Sequence, residues 1–474
     1  MRPNRRAFLA GAGASAIGAA SLGGVGAALN SFQAHAADVS GYKALVCVFL
    51  LGGLDNHDTL FPYDQSSYDE LANIRASLFA QYSGMAGGST RDRGRLLKLN
   101  PDNAAAFGSR EFALPEELSG IHGLFEQGDA AVVANVGPLI QPLTATEFEN
   151  ESVPTPARLF SHNDQQSTWM SSAPEGAQFG WGGRFADAAL ASGANTTPDF
   201  TTITALGNEL FLTGEDVIPY QVGFGGEAAM LDLLEFFDGN RSTPEGEQAY
   251  QLLRAHFESS SFTSSNLIER DIAAANAASL STNASYNEAL ANAIPLATPF
   301  PDTFLGVQLS AIARTISIRN SLFVSRQVFF VAIGGFDTHS AQATDIPTLQ
   351  QEIDGGVTAF FQAMQELGVA SDVTLFTASD FGRTLAINGD GTDHGWGAHH
   401  FVVGEAVQGK NIYGDPPPSN FGHAQDAGGG RLIPGVSVEQ FAEPLGRWFG
   451  LTDAELAVAL PNLSNFTAPS LTFV

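Results

Sequence analysis

The chain has 474 residues, 44% of them hydrophobic and 15% charged. That is enough apolar content for a large buried core, and it excludes disorder for the bulk of the chain. Fifty acidic residues against twenty-two basic ones give a net charge of −28, which argues against a nucleic-acid partner, because phosphate binding needs a basic footprint. The lone Cys47 excludes an internal disulfide and a thiolate-rich metal site. It lies in an apolar run and reads as a buried, inert thiol.

Residues 1–36 read as an export leader. Arg5-Arg6-Ala7-Phe8-Leu9 is a twin-arginine pattern, a weakly apolar Gly/Ala stretch follows to about Leu29, and Ala34-His35-Ala36 supplies small residues for cleavage. Periplasmic or extracellular localisation is the expectation, with no membrane segment beyond the leader and a mature body over 37–474.

Within that body, buried-strand runs are predicted at 43–51, Ala130–Val136, Thr201–Leu206, Gln327–Ile333, Asp372–Thr377 and His400–Val403. Helical patterns are predicted at Glu116–Glu126, Glu227–Phe237, Val307–Ile318, Leu349–Leu367 and Val438–Phe449. Several strands are continuous apolar runs, as strands covered on both faces are. Strand–helix alternation predicts an α/β fold with a mostly parallel sheet. The Ala/Ser/Asn-rich stretch from about 240 to 300 lacks a strand signal and is predicted to be a helical insertion.

Polar density gathers in four windows, three of them directly after a predicted strand. In open α/β sheets the ligand crevice lies beyond the carboxyl ends of the strands. Gly52-Gly53-Leu54-Asp55 follows the first strand; Asp55 fits a crevice ligand or a turn cap equally. Gly334-Gly335-Phe336-Asp337-Thr338-His339 repeats the glycine-pair–x–Asp pattern, and Asp337 with His339 offers an oxygen and a nitrogen to a borderline cation. Asp380 ends another strand, and Arg383 beyond it fits either an anion clamp or an ordinary salt bridge. The fourth window, Asn388–His400, carries Asp393-His394 and His399 as candidate ligands. Asp390 and Asp393 also resemble part of a calcium loop, but the alternation and terminal Glu of an EF-hand are missing. His162 stands out in the polar segment Ser161–Trp169, most of which reads as a capped loop leading to a helix. His122, His256 and His423 read as structural.

Together these windows resemble an exported bacterial family, domain of unknown function 1501, grouped with the alkaline phosphatase and sulfatase superfamily. The resemblance rests on the paired-arginine leader, Phe49–Asp55, Ser161-His162, Phe179–Arg184, Gly334–His339, Ser379–Thr384 and Thr392–Gly395. It implies a three-layer α/β/α sandwich and, in active members, two metal ions held by Asp and His near the strand ends. By that resemblance Asp55, Asp337, His339 and Asp380 are metal ligands, completed by Asp393, His394 or His399. Phe381 stands where the superfamily has a histidine. The nucleophile would be a Ser or Thr, with Ser167, Thr168, Thr59 and Ser161 as candidates and nothing to separate them; otherwise water activated by the metal would attack. The expectation is a metal-dependent hydrolase of phosphate or sulfate esters, small or polymer-borne, using zinc or else calcium, magnesium or manganese. Arg383, His162, Ser167 and Thr168 are its candidate catalytic residues. The rival expectation is a non-catalytic exported protein that keeps the fold.

Overall fold

A computed structural model describes residues 38–85, 90–207, 209–228, 239, 241–257, 266–468 and 470–474. The predicted leader lies outside them, as does nearly all of the predicted helix Glu227–Phe237. The nine-stranded main sheet is built from β1 (Lys43–Leu50), β2 (Ala130–Gly137), β3 (Thr202–Thr204), β4 (Tyr220–Gln221), β5 (Arg326–Ile333), β6 (Val373–Ser379), β7 (Ala398–Val403), β8 (Ile412–Tyr413) and β9 (Val436–Ser437). Its order is β8-β2-β7-β6-β1-β5-β3-β4, and β9 also pairs with β2. Every pairing is parallel except those of β7, which is antiparallel to β2 and β6.

The alternation along β1 shows why two helical layers form. Ala44, Val46, Val48 and Leu50 face one apolar cluster, with α1 (Ser119–Gln127), α6 (Phe304–Ser317) and α7 (Gln342–Glu366). Leu45, Cys47 and Phe49 face the other, with α2 (His162–Ser171), α3 (Trp181–Ala191) and α8 (Val438–Phe449). A strand that is apolar from Ala44 to Leu50 must be covered on both sides, and the result is the expected α/β/α sandwich. The stretch predicted as a helical insertion contains α4 (Pro244–Phe257) and α5 (Leu267–Ala291). Among the described residues no helix is long and apolar enough to cross a membrane.

Two differences from the sequence-based expectation have physical causes. The segment around Ser161–Trp169, expected to be mostly loop, is helix α2. Its polar sequence is buried under tertiary contacts, including the edge-on packing of Trp169 against Phe49 (ring centroids 5.9 Å apart), which override weak helical patterning. Strand β7 begins two residues before the predicted start and runs against the rest. Its amino-terminal end therefore lies at the same edge as the carboxyl ends of β1, β5 and β6.

β1 sits between β5 and β6, so Leu50 is level with both Ile333 and Ser379. The two glycine-pair turns are thereby pressed together. Gly52 has φ +116°, and a Cβ there would stand 2.3 Å from the Asp337 backbone nitrogen. A Gly52→Ala variant is expected to lose at least about 2 kcal/mol of stability through backbone strain and overlap. Denaturant unfolding checks this, and a loss under about 0.5 kcal/mol would show that the turns are not in contact.

Candidate metal centre at the carboxyl edge of the sheet

Asp337, carried by the turn after β5, is the hub. Arg383 Nη1 donates to its Oδ1 at 2.8 Å. Burial alone would raise the Asp337 pKa, but the hydrogen bond and charge of Arg383 outweigh it and hold the carboxyl below its ordinary value. Three imidazoles face this carboxylate. His339 Nε2 and His394 Nε2 lie 3.1 and 3.2 Å from Oδ1, and His162 Nε2 lies 3.5 Å from Oδ2. The two nitrogens of His339 and His394 are 2.8 Å apart.

The outer nitrogen of each ring decides what the inner one offers. His162 Nδ1 is 2.7 Å from Asp380 Oδ2, His394 Nδ1 is 2.7 Å from the Phe160 carbonyl, and His339 Nδ1 is 3.2 Å from Asp393 Oδ1. All three partners only accept, so each neutral ring carries its proton on Nδ1 and turns a bare Nε2 inward. Three lone pairs and a carboxylate so close together repel unless a positive charge lies among them. A ring whose outer N–H is held by a carboxylate or carbonyl is the usual arrangement of a metal-ligating histidine. His162, Asp337 and His394 bring ligand atoms within 4.8 Å of one another, the one such group of three among the described residues. Asp380 Oδ1, fully buried, has no protein partner.

The hydrogen bond to Asp380, first among its causes, raises the His162 pKa. Burial lowers that of His394. Phe381 is buried with its ring 4.8 Å from that of His162 and 4.7 Å from that of His394. It positions the imidazoles by packing and supplies no ligand atom.

Other candidates are placed differently. Asp55 is buried in a two-point ion pair with Arg75 (2.7 and 3.1 Å) and also accepts from Gln342 Nε2 at 2.5 Å. Burial pushes its pKa up, but Arg75 outweighs this and the net direction is down. Its oxygens are thus already satisfied, contrary to the expected ligand role. Asp55 connects to the hub only indirectly, through Gln342, Thr392 and Arg383. Arg383 itself is fully buried and also donates to the carbonyls of Gly52 and Thr392. Of the two roles open to it in the sequence, anion clamp or salt bridge, it takes the salt bridge, to Asp337. Asp380 and Asp393 hold histidine rings by their outer nitrogens. His399 is buried away from the cluster, and its Nδ1 accepts from the Asn135 backbone N–H at 2.9 Å.

The hydroxyls expected as nucleophiles are all engaged elsewhere. Ser167 donates to the Ala173 carbonyl, Thr168 to that of Asp164 and Thr59 to that of Asp55, while Ser161 donates to the Asp164 carboxylate. Sequence reasoning passed over Gln166, which donates to Asp380 at 2.9 Å. Its i,i+4 spacing from His162 was a usable signal. The Phe160 carbonyl, presented by a residue at φ 71°, left none.

The geometry defines an α/β sandwich with a histidine–carboxylate cluster at the carboxyl edge of its sheet. The chain belongs to the family described as "Protein of unknown function (DUF1501)", whose model matches residues 42–459. No curated protein matches it. Among solved structures, a protein named Ps i-CgsB, crystallised in complex with k-i-k-neocarrahexaose, is similar at TM-score 0.34 and 9% identity, covering 90% of this chain and 77% of that one. A Bacteroides thetaiotaomicron chain labelled BT33494S-sulf, titled for the metabolism of multiple glycosaminoglycans, has TM-score 0.33 and 12% identity, covering 87% and 74%. Likeness at that level carries no argument about activity.

Burial lowers the pKa of His57 to about 3, of His399 to about 4 and of His400 to about 3. In the unfolded chain these rings take up protons near pH 6.5. Stability from keeping them neutral is therefore complete above about pH 6.5 and is lost as pH falls toward 4. The His399→Gln variant, which keeps an acceptor for Asn135, should flatten the slope of unfolding free energy between pH 6 and 5 by about 1.2 kcal/mol per pH unit. Denaturant titrations across that range measure it, and parallel slopes would contradict the neutral buried imidazole.

Proposed function

We propose that this protein is an exported metal-dependent hydrolase of phosphate or sulfate esters, with one divalent cation held by His162, Asp337 and His394. The supporting observation is the set of inward-turned Nε2 atoms around a carboxylate, each ring oriented from outside by an acceptor. Two or three imidazole nitrogens with a carboxylate suit zinc better than calcium or magnesium, which prefer oxygen. The bound cation would supply Lewis acidity toward an ester oxygen and would acidify water.

The chain's own residues then divide the work. Arg383 fixes Asp337, Asp380 fixes His162, and the Phe160 carbonyl fixes His394. His339 is 44% exposed and held by Asp393, so its Nε2 is placed to take a proton from an attacking water. Water is the nucleophile this geometry favours, because the candidate hydroxyls are turned onto other acceptors. An anionic ester, small or polymer-borne, would approach the centre from the exposed side of Asp337 and His339. The twin-arginine leader supports action outside the cytoplasmic membrane.

A second reading, a non-catalytic exported protein that keeps the fold, is favoured by the Arg75–Asp55 pair, which neutralises the carboxylate expected to bind a second ion.

Metal analysis of the purified mature protein should find one equivalent of tightly held zinc. Asp337→Ala should abolish both that binding and the turnover of an aryl phosphate or sulfate. Asp380→Asn should weaken metal affinity about 10–100-fold. His339→Ala should keep the ion and lower turnover about 10²–10⁴-fold. A bound ion without turnover of either ester class would support the non-catalytic reading, and failure to bind zinc, manganese, magnesium or calcium would sink the metal-centre proposal.

A further inference from the structure

The side of α2 that carries His162 also holds buried polar atoms that the fold leaves unanswered. Gln165 is 1% exposed, and neither its Nε2 nor its Oε1 has a partner in the protein. Trp169, one helical turn later on the same face and equally buried, has an unpartnered Nε1. Against Trp169 packs His400 of β7, 1% exposed, with an unpartnered Nε2. The rings of Trp169, His400 and Phe441 pack in a triangle with centroids 5.9, 6.0 and 6.2 Å apart. The orphaned groups thus line one seam between α2 and β7, closed by the Phe441 ring of α8.

The protein cannot satisfy these groups by itself. The Trp169 indole N–H only donates, and the Gln165 amide adds two more donors and a single acceptor oxygen. Thr377 Oγ1 accepts from the Phe401 N–H, so its own proton is free for His400 Nδ1, 3.4 Å away. That leaves His400 Nε2 as a further donor. Several N–H groups facing one another do not attract a cation. Rings about 6 Å apart leave little room for an organic guest.

We propose that this seam is an internal water site, holding about two ordered molecules, each bridging two to four of these groups. The waters accept from Trp169, His400 and the Gln165 amide and donate to Gln165 Oε1. The helix that carries His162 therefore rests partly on fixed solvent as well as on apolar packing. The inference does not depend on any cation at the neighbouring centre.

A crystal structure of the full mature protein at about 1.5 Å resolution tests it directly. The expected result is at least one water within hydrogen-bond distance of both Gln165 and either Trp169 Nε1 or His400 Nε2. Density showing the Gln165 amide bonded straight to those nitrogens, with no water in the seam, overturns it. A solution test uses Gln165→Met, which keeps side-chain volume but cannot bind water. With waters in place, the folding equilibrium constant should fall or rise by no more than threefold. A larger rise means the amide was buried dry, and overturns the proposal. Metal content measured on the same variant keeps this outcome separate from that of the cation centre.

Discussion

Asp337 and the imidazoles around it impose the constraint from which the rest of the site follows. A carboxylate with three inward-facing ring nitrogens is electrostatically unfavourable unless a positive charge joins them, and here each ring is held in that orientation from outside. Asp380, Asp393 and the Phe160 carbonyl do the holding, and they come from three separate parts of the chain. Arg383 supplies a fixed positive charge on one side of Asp337 only. The rim on the other side is open: Asp337 and His339 remain 46% and 44% exposed.

Beneath this centre lies polar structure whose role is structural. Arg75 is buried against Asp55, and Arg91 is buried against Asp58 and Glu117. Buried ion pairs contribute little net stability, because desolvation opposes the attraction, yet removing one partner leaves an uncompensated charge at large cost. Their effect is to lock geometry. Asp55 anchors the turn after β1, and the Gln342–Thr392 hydrogen bonds tie that turn to Arg383 and so to Asp337. At the opposite edge of the sheet the buried Arg326 donates to the carbonyls of Asp38, Gly41 and Phe449, securing the start of the described chain to α8.

Much of the architecture was legible in the residues. The apolar runs located the principal strands because a strand covered on both faces has no polar side to interrupt it. The glycine pairs marked the turns after β1 and β5, where positive φ excludes most side chains. The sign of β7 was not legible, since an isolated strand sequence carries no direction relative to its neighbours. Helix α2 was missed because its buried face is polar and lacks the apolar period that betrays a helix.

For the site, residue types and their positions after strands were enough to single out Asp337, His339, Asp380, His394 and His162 as candidates. The carboxyl ends of parallel strands must share one edge, so their proximity follows from topology once the sheet is recognised. Pairing was another matter. Whether an aspartate faces the open centre or a buried arginine depends on neighbours hundreds of residues away, as Asp55 and Arg75 show against Leu385 and Gln342. Likewise, only the folded chain decided that Arg383 is a buried prop, that Ser167 and Thr168 turn to backbone carbonyls, and that the fate of a proton on each imidazole is set by what lies behind it. Side-chain identity determined which chemistry was available here; three-dimensional packing determined which lone pairs are free to perform it.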